Sequence, residues 1–217
     1  MSDLNFGVVF ASIDQLLIAA MLSMAIGIVA MTLALLIGMI GTALSQIGWR
    51  RLVIAFVDIF RGTPLLVQVL MLYFVPNAIG IPISPYVSGT ISLAVYYGAY
   101  TIEIMRGAFE AVPAEHLDAA RSLGMKTSRI FIKIQFPQVL AIIVSPLAGQ
   151  FARLFKASSL LSVIGVAELT HRGQFIMERT YAPIETWLTV AAIYFAFNSL
   201  VVLGSIWLER RLVRSRA

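Results

Sequence analysis

LLIAAMLSMAIGIVAMTLALLIGMIGTAL, residues 16–44, decides the fold. It runs for 29 residues without a Lys, Arg, Asp, Glu or His. A helix needs about 20 predominantly apolar residues to cross a hydrocarbon core, and this run exceeds that length. Four more stretches are long and apolar enough: Leu52–Pro76, Val87–Met105, Val139–Phe155 and Leu188–Leu208. The whole chain agrees, with 59% hydrophobic and 12% charged residues among 217 and a mean hydropathy of +0.90. A soluble domain carries about 45–50% apolar and about 25% charged residues. That balance excludes a disordered chain and a water-soluble domain. The absence of Cys excludes disulfides, thiolate metal sites and Cys nucleophiles. Only His116 and His171 are available as imidazole ligands, so no metal site is expected.

The sparse charges set the orientation. Arg50 is the first Lys or Arg, so the N-terminus lacks the basic region of a cleavable signal peptide and the first run is expected to remain as a span. Eleven of the sixteen Lys and Arg fall on one side: Arg50 and Arg51, five between Arg106 and Lys133, and Arg210, Arg211, Arg214 and Arg216. The other side holds Arg172 and Arg179. The positive-inside rule makes the richer side cytoplasmic. The sequence therefore predicts an all-α membrane protein of five transmembrane helices, N-terminus outside and C-terminus cytoplasmic. The net charge of +5 is then an orientation signal rather than a nucleic-acid footprint. Small residues four apart in the first span (Ser23 and Gly27; Ala30, Ala34, Gly38 and Thr42) predict close helix packing within the chain. The second span, broken by Asp58, Arg61, Gly62 and Pro64, has two registers. Either it crosses whole, or Trp49–Arg61 forms an interfacial amphipathic helix and the crossing starts near Gly62.

The long cytoplasmic connection, about 106–137, is the most informative segment. Val112-Pro113-Ala114-Glu115 signals a helix start, since Pro suits the first turn and an acid suits the positive helix end. A short helix through Ala119, Ala120 and Leu123 should stop at Gly124. A second helical stretch, Thr127–Gln135, leads through Pro137 into the next span. A short rigid helix projecting from the membrane is a docking element.

These residues resemble the "EAA" loop of ATP-binding-cassette importer permeases, E-A-A, three residues, Gly, nine residues, I-x-L-P. Asp118 stands for the Glu, Ala119 and Ala120 match, Gly124 follows after three residues, and Ile134 and Pro137 fall in register with Phe136 in place of Leu. Three further runs are similar to the polar amino acid subfamily: RGTPLLVQ from Arg61, AYTIEIMRG from Ala99 and SSLLSVIGV from Ser158. The resemblance covers roughly Arg50 to Arg211. It implies a single transmembrane permease domain over 1–217 with the type I importer fold, and an outer loop over about 166–186. It implies ATPase coupling through Asp118, Ala119, Ala120, Gly124, Ile134 and Pro137. The chain has no G-x-x-x-x-G-K-[ST] phosphate loop, so it is not expected to be an enzyme or to carry a cofactor. ATP and Mg would be bound by a partner ATPase. The other implied partners are a second permease copy or paralogue and an extracytoplasmic amino-acid-binding protein, at the bacterial inner membrane. The implied function is alternating-access uptake of a polar or charged amino acid. A standalone secondary transporter or channel is the alternative; no catalytic residues are expected in either case.

Charges within spans need partners or a polar cavity, at about 2.5–3.5 kcal/mol each. Asp58 and Arg61, three apart, are expected to pair beside a Gly62–Pro64 hinge. Glu103 and Arg106 repeat that spacing, and Glu103 is also a candidate for meeting a cationic substrate. Arg153 and Lys156 are alike in sign and precede Ser158 and Ser159 near an expected helix break, where transporters place substrate sites. They are either substrate contacts or cations snorkelling to headgroups. Gln68, Tyr97 and Tyr100 are further pathway candidates. In the outer loop, Glu168, Arg172, Glu178, Arg179 and Glu185 suit salt bridges to a delivery protein, and His171 is expected to be a solvated loop residue. The C-terminal arginines are expected to anchor on anionic lipid.

Overall fold

The structure, a computed structural model, describes residues 5–214, and side chains within that range other than those of residues 8 and 205–214. The expected anchoring by Arg210, Arg211, Arg214 and Arg216 lies outside the described side chains. Among the described residues the chain is helical, with no strand. A turn of helix, α1 (Gly7–Phe10), precedes α2 (Ile13–Gln46), α3 (Arg50–Gly62), α4 (Leu65–Ala78) and α5 (Pro85–Glu110). Next come α6 (Ala114–Ser122), α7 (Thr127–Ile130) and α8 (Phe136–Ala157), then α9 (Leu169–Thr180) and α10 (Pro183–Arg214).

Three continuous helical stretches are long and apolar enough to cross a membrane: Ile13–Gln46, Thr127–Ile164 and Pro183–Gly204. A fourth candidate is the pair α3 and α4, bent by 99° at Gly62–Pro64. Of the two registers open to this region, the bent one is observed. Arg50–Gly62 is an amphipathic helix burying Val53 and Val57, and a separate apolar helix begins at Leu65. The break follows from Pro64, which forces Thr63 out of helical geometry and has no N–H for the ladder. At 26 residues α5 is also long enough, but its Ser, Thr, Gly, Tyr and Glu residues lower its hydropathy.

That composition suits a central position. α5 lies along α2 in the same direction, with Gly98 against Ile37, Gly38 against Thr101 and Gly41 against Ile102. α2 turns its small residues inward, burying Ala19, Ala20, Ser23, Gly27, Ala30, Ala34 and Gly38, while Ile18, Met21, Ile28 and Ile40 are exposed. The spacing of small residues thus serves packing within the chain. α8 runs opposite to both, and its fully buried Gln150 donates to the Tyr97 carbonyl and the Thr101 hydroxyl, each at 2.7 Å. α4 is antiparallel to α5, and α10 is antiparallel to α8 through Phe155, Tyr194 and Phe197. The main core joins α2, α4, α5 and the end of α8 around Ala30, Val69, Leu93 and Leu154. One end of the bundle carries α3 and α6, and the other carries α9.

Candidate functional site

The short helix predicted within the long connection is present. Pro113 precedes α6, Glu115 lies in its first turn, and Gly124 closes it in the left-handed conformation at φ 73°. One face is anchored: Leu117 packs on Ala108, Val112, Val139 and Ile143, Ala120 is buried, and the His116 Nδ1 lies 3.2 Å from Gln138 Oε1. The other face is open. Asp118 and Arg121 pair with each other at the surface, 2.6 Å apart, and Leu123 is 82% exposed. The Thr127–Gln135 stretch is helical as predicted, but its second half, Phe131–Gln135, widens to a π-turn before Pro137. Ile134 and Pro137 are half-buried where this turn enters α8.

At the same end, α3 meets α5 through charge. Glu103 accepts two hydrogen bonds from Arg106, both 3.1 Å, and lies 3.4 Å from Arg61. Arg106 also reaches Glu110 at 2.9 Å. The expected Asp58–Arg61 pair does not form. Arg61 lies four residues beyond the buried Val57, on the face that α3 turns to α5, and stacks over Tyr100 at 4.9 Å. Asp58 is one position off that face and exposed. A carboxylate on the neighbouring helix therefore takes the guanidinium. The elbow itself is held by Gln68, whose amide nitrogen donates to the carbonyls of Phe60 and Thr63 and to the Thr63 hydroxyl.

The expected break after Lys156 is present. α8 gives way to a 3₁₀ segment, Ser158–Ile164, ending at Gly165 with φ 81°. The Ser158, Ser159 and Ser162 hydroxyls all donate to carbonyls three residues earlier, at 2.7–2.8 Å, so their protons are committed to the break itself. Arg153 and Lys156 are exposed, whereas Tyr97 is buried in the core.

Three residues of the outer connection behave differently from the sequence reading. Most of that connection is helix α9, and Glu168 is its fully buried N-cap rather than a surface charge. Its carboxylate accepts from the His171 N–H at 2.8 Å, the Thr170 N–H at 3.0 Å and the Tyr194 hydroxyl at 2.9 Å. Ser23 of α2 lies 3.5 Å from the same carboxylate and accepts from the Leu169 N–H. Glu185 is also buried and accepts from the Asn5 N–H. Neither is available to a delivery protein. His171 is half-buried on α9, its backbone N–H engaged by Glu168, rather than a solvated loop residue.

A short helix on an all-helical apolar bundle invites comparison with known proteins. Residues 34–214 match the family model of binding-protein-dependent transport system inner membrane components. This chain belongs to that family. The permease is 30% identical to the glutamine transport system permease protein GlnP of Escherichia coli, over 96% of this chain and 97% of that one. It is equally similar to the E. coli histidine/lysine/arginine/ornithine transport system permease protein HisQ, over 88% of this chain and 90% of the relative. The crystal structure of an amino acid ABC transporter with histidines superposes with a TM-score of 0.90 at 30% identity, covering 95% and 98% of the two chains. The MetNI methionine ABC transporter in an inward-facing conformation, 18% identical with a TM-score of 0.72, shares the fold. The permease is thus an integral membrane protein of the amino acid ABC transporter class.

Sequence reasoning passed over Gln150, Tyr194 and the inward role of Glu168 in the permease. A Gln within an apolar helical run and an acid one residue before a helix were the available signals. Burial pushes the Glu168 carboxyl above the ordinary carboxylate range, against the lowering by its hydrogen-bond donors. Because the folded value is raised, the protonated form is favoured on folding. The stabilisation it gives is full below the unfolded value of about 4.3 and is lost as pH rises through the raised folded value. Glu168→Gln cannot titrate. The melting temperature of the unaltered permease relative to this variant is therefore expected to fall as pH is raised from about 4 to about 8, read by thermal unfolding in detergent. A difference constant across that range would contradict the assignment. Glu168→Ala, which strips two part-buried N–H groups of their acceptor, is expected to cost about 1–3 kcal/mol at low pH and less as the pH rises.

Proposed function

We propose that this chain is the translocating subunit of an ATP-driven importer that moves a polar or charged amino acid across the bacterial inner membrane. Five segments, α2, α3–α4, α5, α8 and α10, alternate in direction. This supports five crossings with the N-terminus outside and the end bearing α6 in the cytoplasm. The observation that carries the reading is α6: a short helix anchored by Leu117 and Ala120 and displaying Leu123 to solvent among Arg121, Lys126 and Arg129. Such a helix fits a groove on a separate ATPase, which would hold the ATP and Mg and whose closure would be passed through Val112, Val139 and Ile143 into α5 and α8. A second permease, identical or paralogous, would complete the pathway, and an extracytoplasmic binding protein would deliver the amino acid. Lys156, Ser158, Ser159, Arg153, Gln68, Tyr97, Tyr100 and Glu103 remain the pathway candidates. Arg153 and Lys156 are the exposed cations nearest the helix break, suited to a substrate carboxylate.

The test is uptake into proteoliposomes containing the permease, its ATPase and its binding protein. Labelled glutamine, histidine, arginine and glutamate are supplied outside. ATP enclosed on the ATPase side should drive accumulation of at least one of them. Accumulation driven by a proton or sodium gradient without ATP would instead establish a secondary transporter.

A further inference from the structure

A second site lies on the outside of the bundle, between the last third of α2 and α3. The chain reverses at Gly48, whose φ of 103° lets α3 start within four residues of the end of α2. The two helices do not close over one another. Between them runs a groove of about 290 Å³ walled by Ile37, Ile40, Leu44, Leu52 and Phe56, in which the Trp49 indole N–H is the one polar side-chain group among the lining residues. It is near the lower limit of volumes that hold small ligands, about 300–1,000 Å³.

The groove opens beside a second hollow of about 560 Å³ that shares Trp49 and Leu52 with it and adds Arg50 and Arg51. Both arginines are exposed, and neither takes part in an ion pair among the described residues. The acid on their own helix, Asp58, is two turns further on. The site is therefore amphipathic along its length: a purely apolar slot, an indole at its mouth, then two unneutralised guanidinium groups. Trp prefers the headgroup level of a bilayer, and guanidinium forks suit phosphate oxygens.

We propose that this groove binds one anionic phospholipid, with part of an acyl chain in the slot and its phosphate against Arg50 and Arg51. Charge complementarity selects this occupant over a zwitterionic lipid, and the unbroken apolar walls select a hydrocarbon chain over a soluble anion. The bound lipid fills the gap between α2 and α3 and braces the helix that carries Arg61 to Glu103.

Trp49 reports occupancy directly. In the full-length permease carrying Trp187→Phe and Trp207→Phe, Trp49 fluorescence is titrated with phosphatidylglycerol brominated on its acyl chains, and separately with the matching phosphatidylethanolamine. The expected result is saturable quenching by the anionic lipid at lower mole fraction than by the zwitterionic one. Adding Arg50→Gln and Arg51→Gln should weaken the anionic lipid about thirtyfold, at about fivefold per arginine. Ile40→Phe, which extends an exposed side chain across the slot, should abolish saturable quenching with the arginines intact. Equal quenching by the two lipids overturns the proposal, as does an unchanged titration in the double arginine variant. Shielding of Trp49 from both lipids also overturns it, assigning the groove to a protein partner. Far-ultraviolet helicity matching the parent confirms that each variant is folded.

Discussion

Gly38→Leu is expected to eliminate folded permease from the membrane. A Cβ at Gly38 falls onto Thr101, 2.8 Å from its Cβ, which is a branch point fixed to the backbone rather than the end of a flexible side chain. Thr101 cannot yield cheaply. Its hydroxyl donates to the Tyr97 carbonyl at 2.8 Å and accepts from Gln150, so displacing it undoes the junction of α2, α5 and α8. Overpacking of this kind costs about 1–3 kcal/mol, and each of the hydrogen bonds lost adds about 1 kcal/mol. Their sum, about 3–5 kcal/mol, is comparable with the lower end of a typical domain stability of about 5–15 kcal/mol. Size-exclusion profiles of a fluorescent fusion should show aggregate in place of the monodisperse peak. Gly38→Ala should melt several degrees below the parent. Gly107→Ala provides the internal comparison, because no atom lies within 4 Å of its added Cβ, and it should be neutral or stabilising by about 0.5–1 kcal/mol. A Gly38→Leu protein that melts like the parent would contradict the close α2–α5 approach.

Leu123→Asp is expected to leave the permease folded and to disconnect it from ATP. With 82% of the residue exposed, Leu123 contributes little to the protein's own core, so its replacement should not lower the melting temperature. A leucine held at the tip of a short helix, beside an αL glycine that fixes the turn, is a preformed apolar anchor. Removing such an anchor from an interface costs about 2 kcal/mol or more, which is about thirtyfold in affinity, and an Asp buried there would cost further. ATP-driven uptake should therefore fall at least about tenfold, with less ATPase retained on co-purification. Ala120 is the informative contrast. Because it is buried, a bulky residue there should lower uptake and melting temperature together. Full uptake with Leu123→Asp would remove α6 from the coupling role.

The features legible in the sequence were those fixed by a residue's own chemistry or by neighbours within one or two helical turns. Leu16–Leu44 must be a lipid-embedded helix whatever surrounds it. Pro113 and Gly124 bracket α6, Pro64 breaks α3 from α4, and Glu103 meets Arg106 one turn away, all through local backbone and capping constraints. Tertiary structure alone decided the partners across helices. Arg61 chose Glu103, 42 positions away, over Asp58. Gln150 bridged to Tyr97 and Thr101. Glu168 turned inward to Ser23 and Tyr194, 145 and 26 positions away, instead of outward to a partner. The reason lies in the solvent. In water, the apolar stripe of a helix announces its packed face. In a bilayer, α2 is apolar all round, so hydrophobicity specifies that the helix is embedded but not which side meets protein. That choice fell to shape, with Gly38, Gly41 and Gly98 admitting a neighbouring helix and Ile18, Ile28 and Ile40 left exposed. The polar partners followed from which helices that shape brought together.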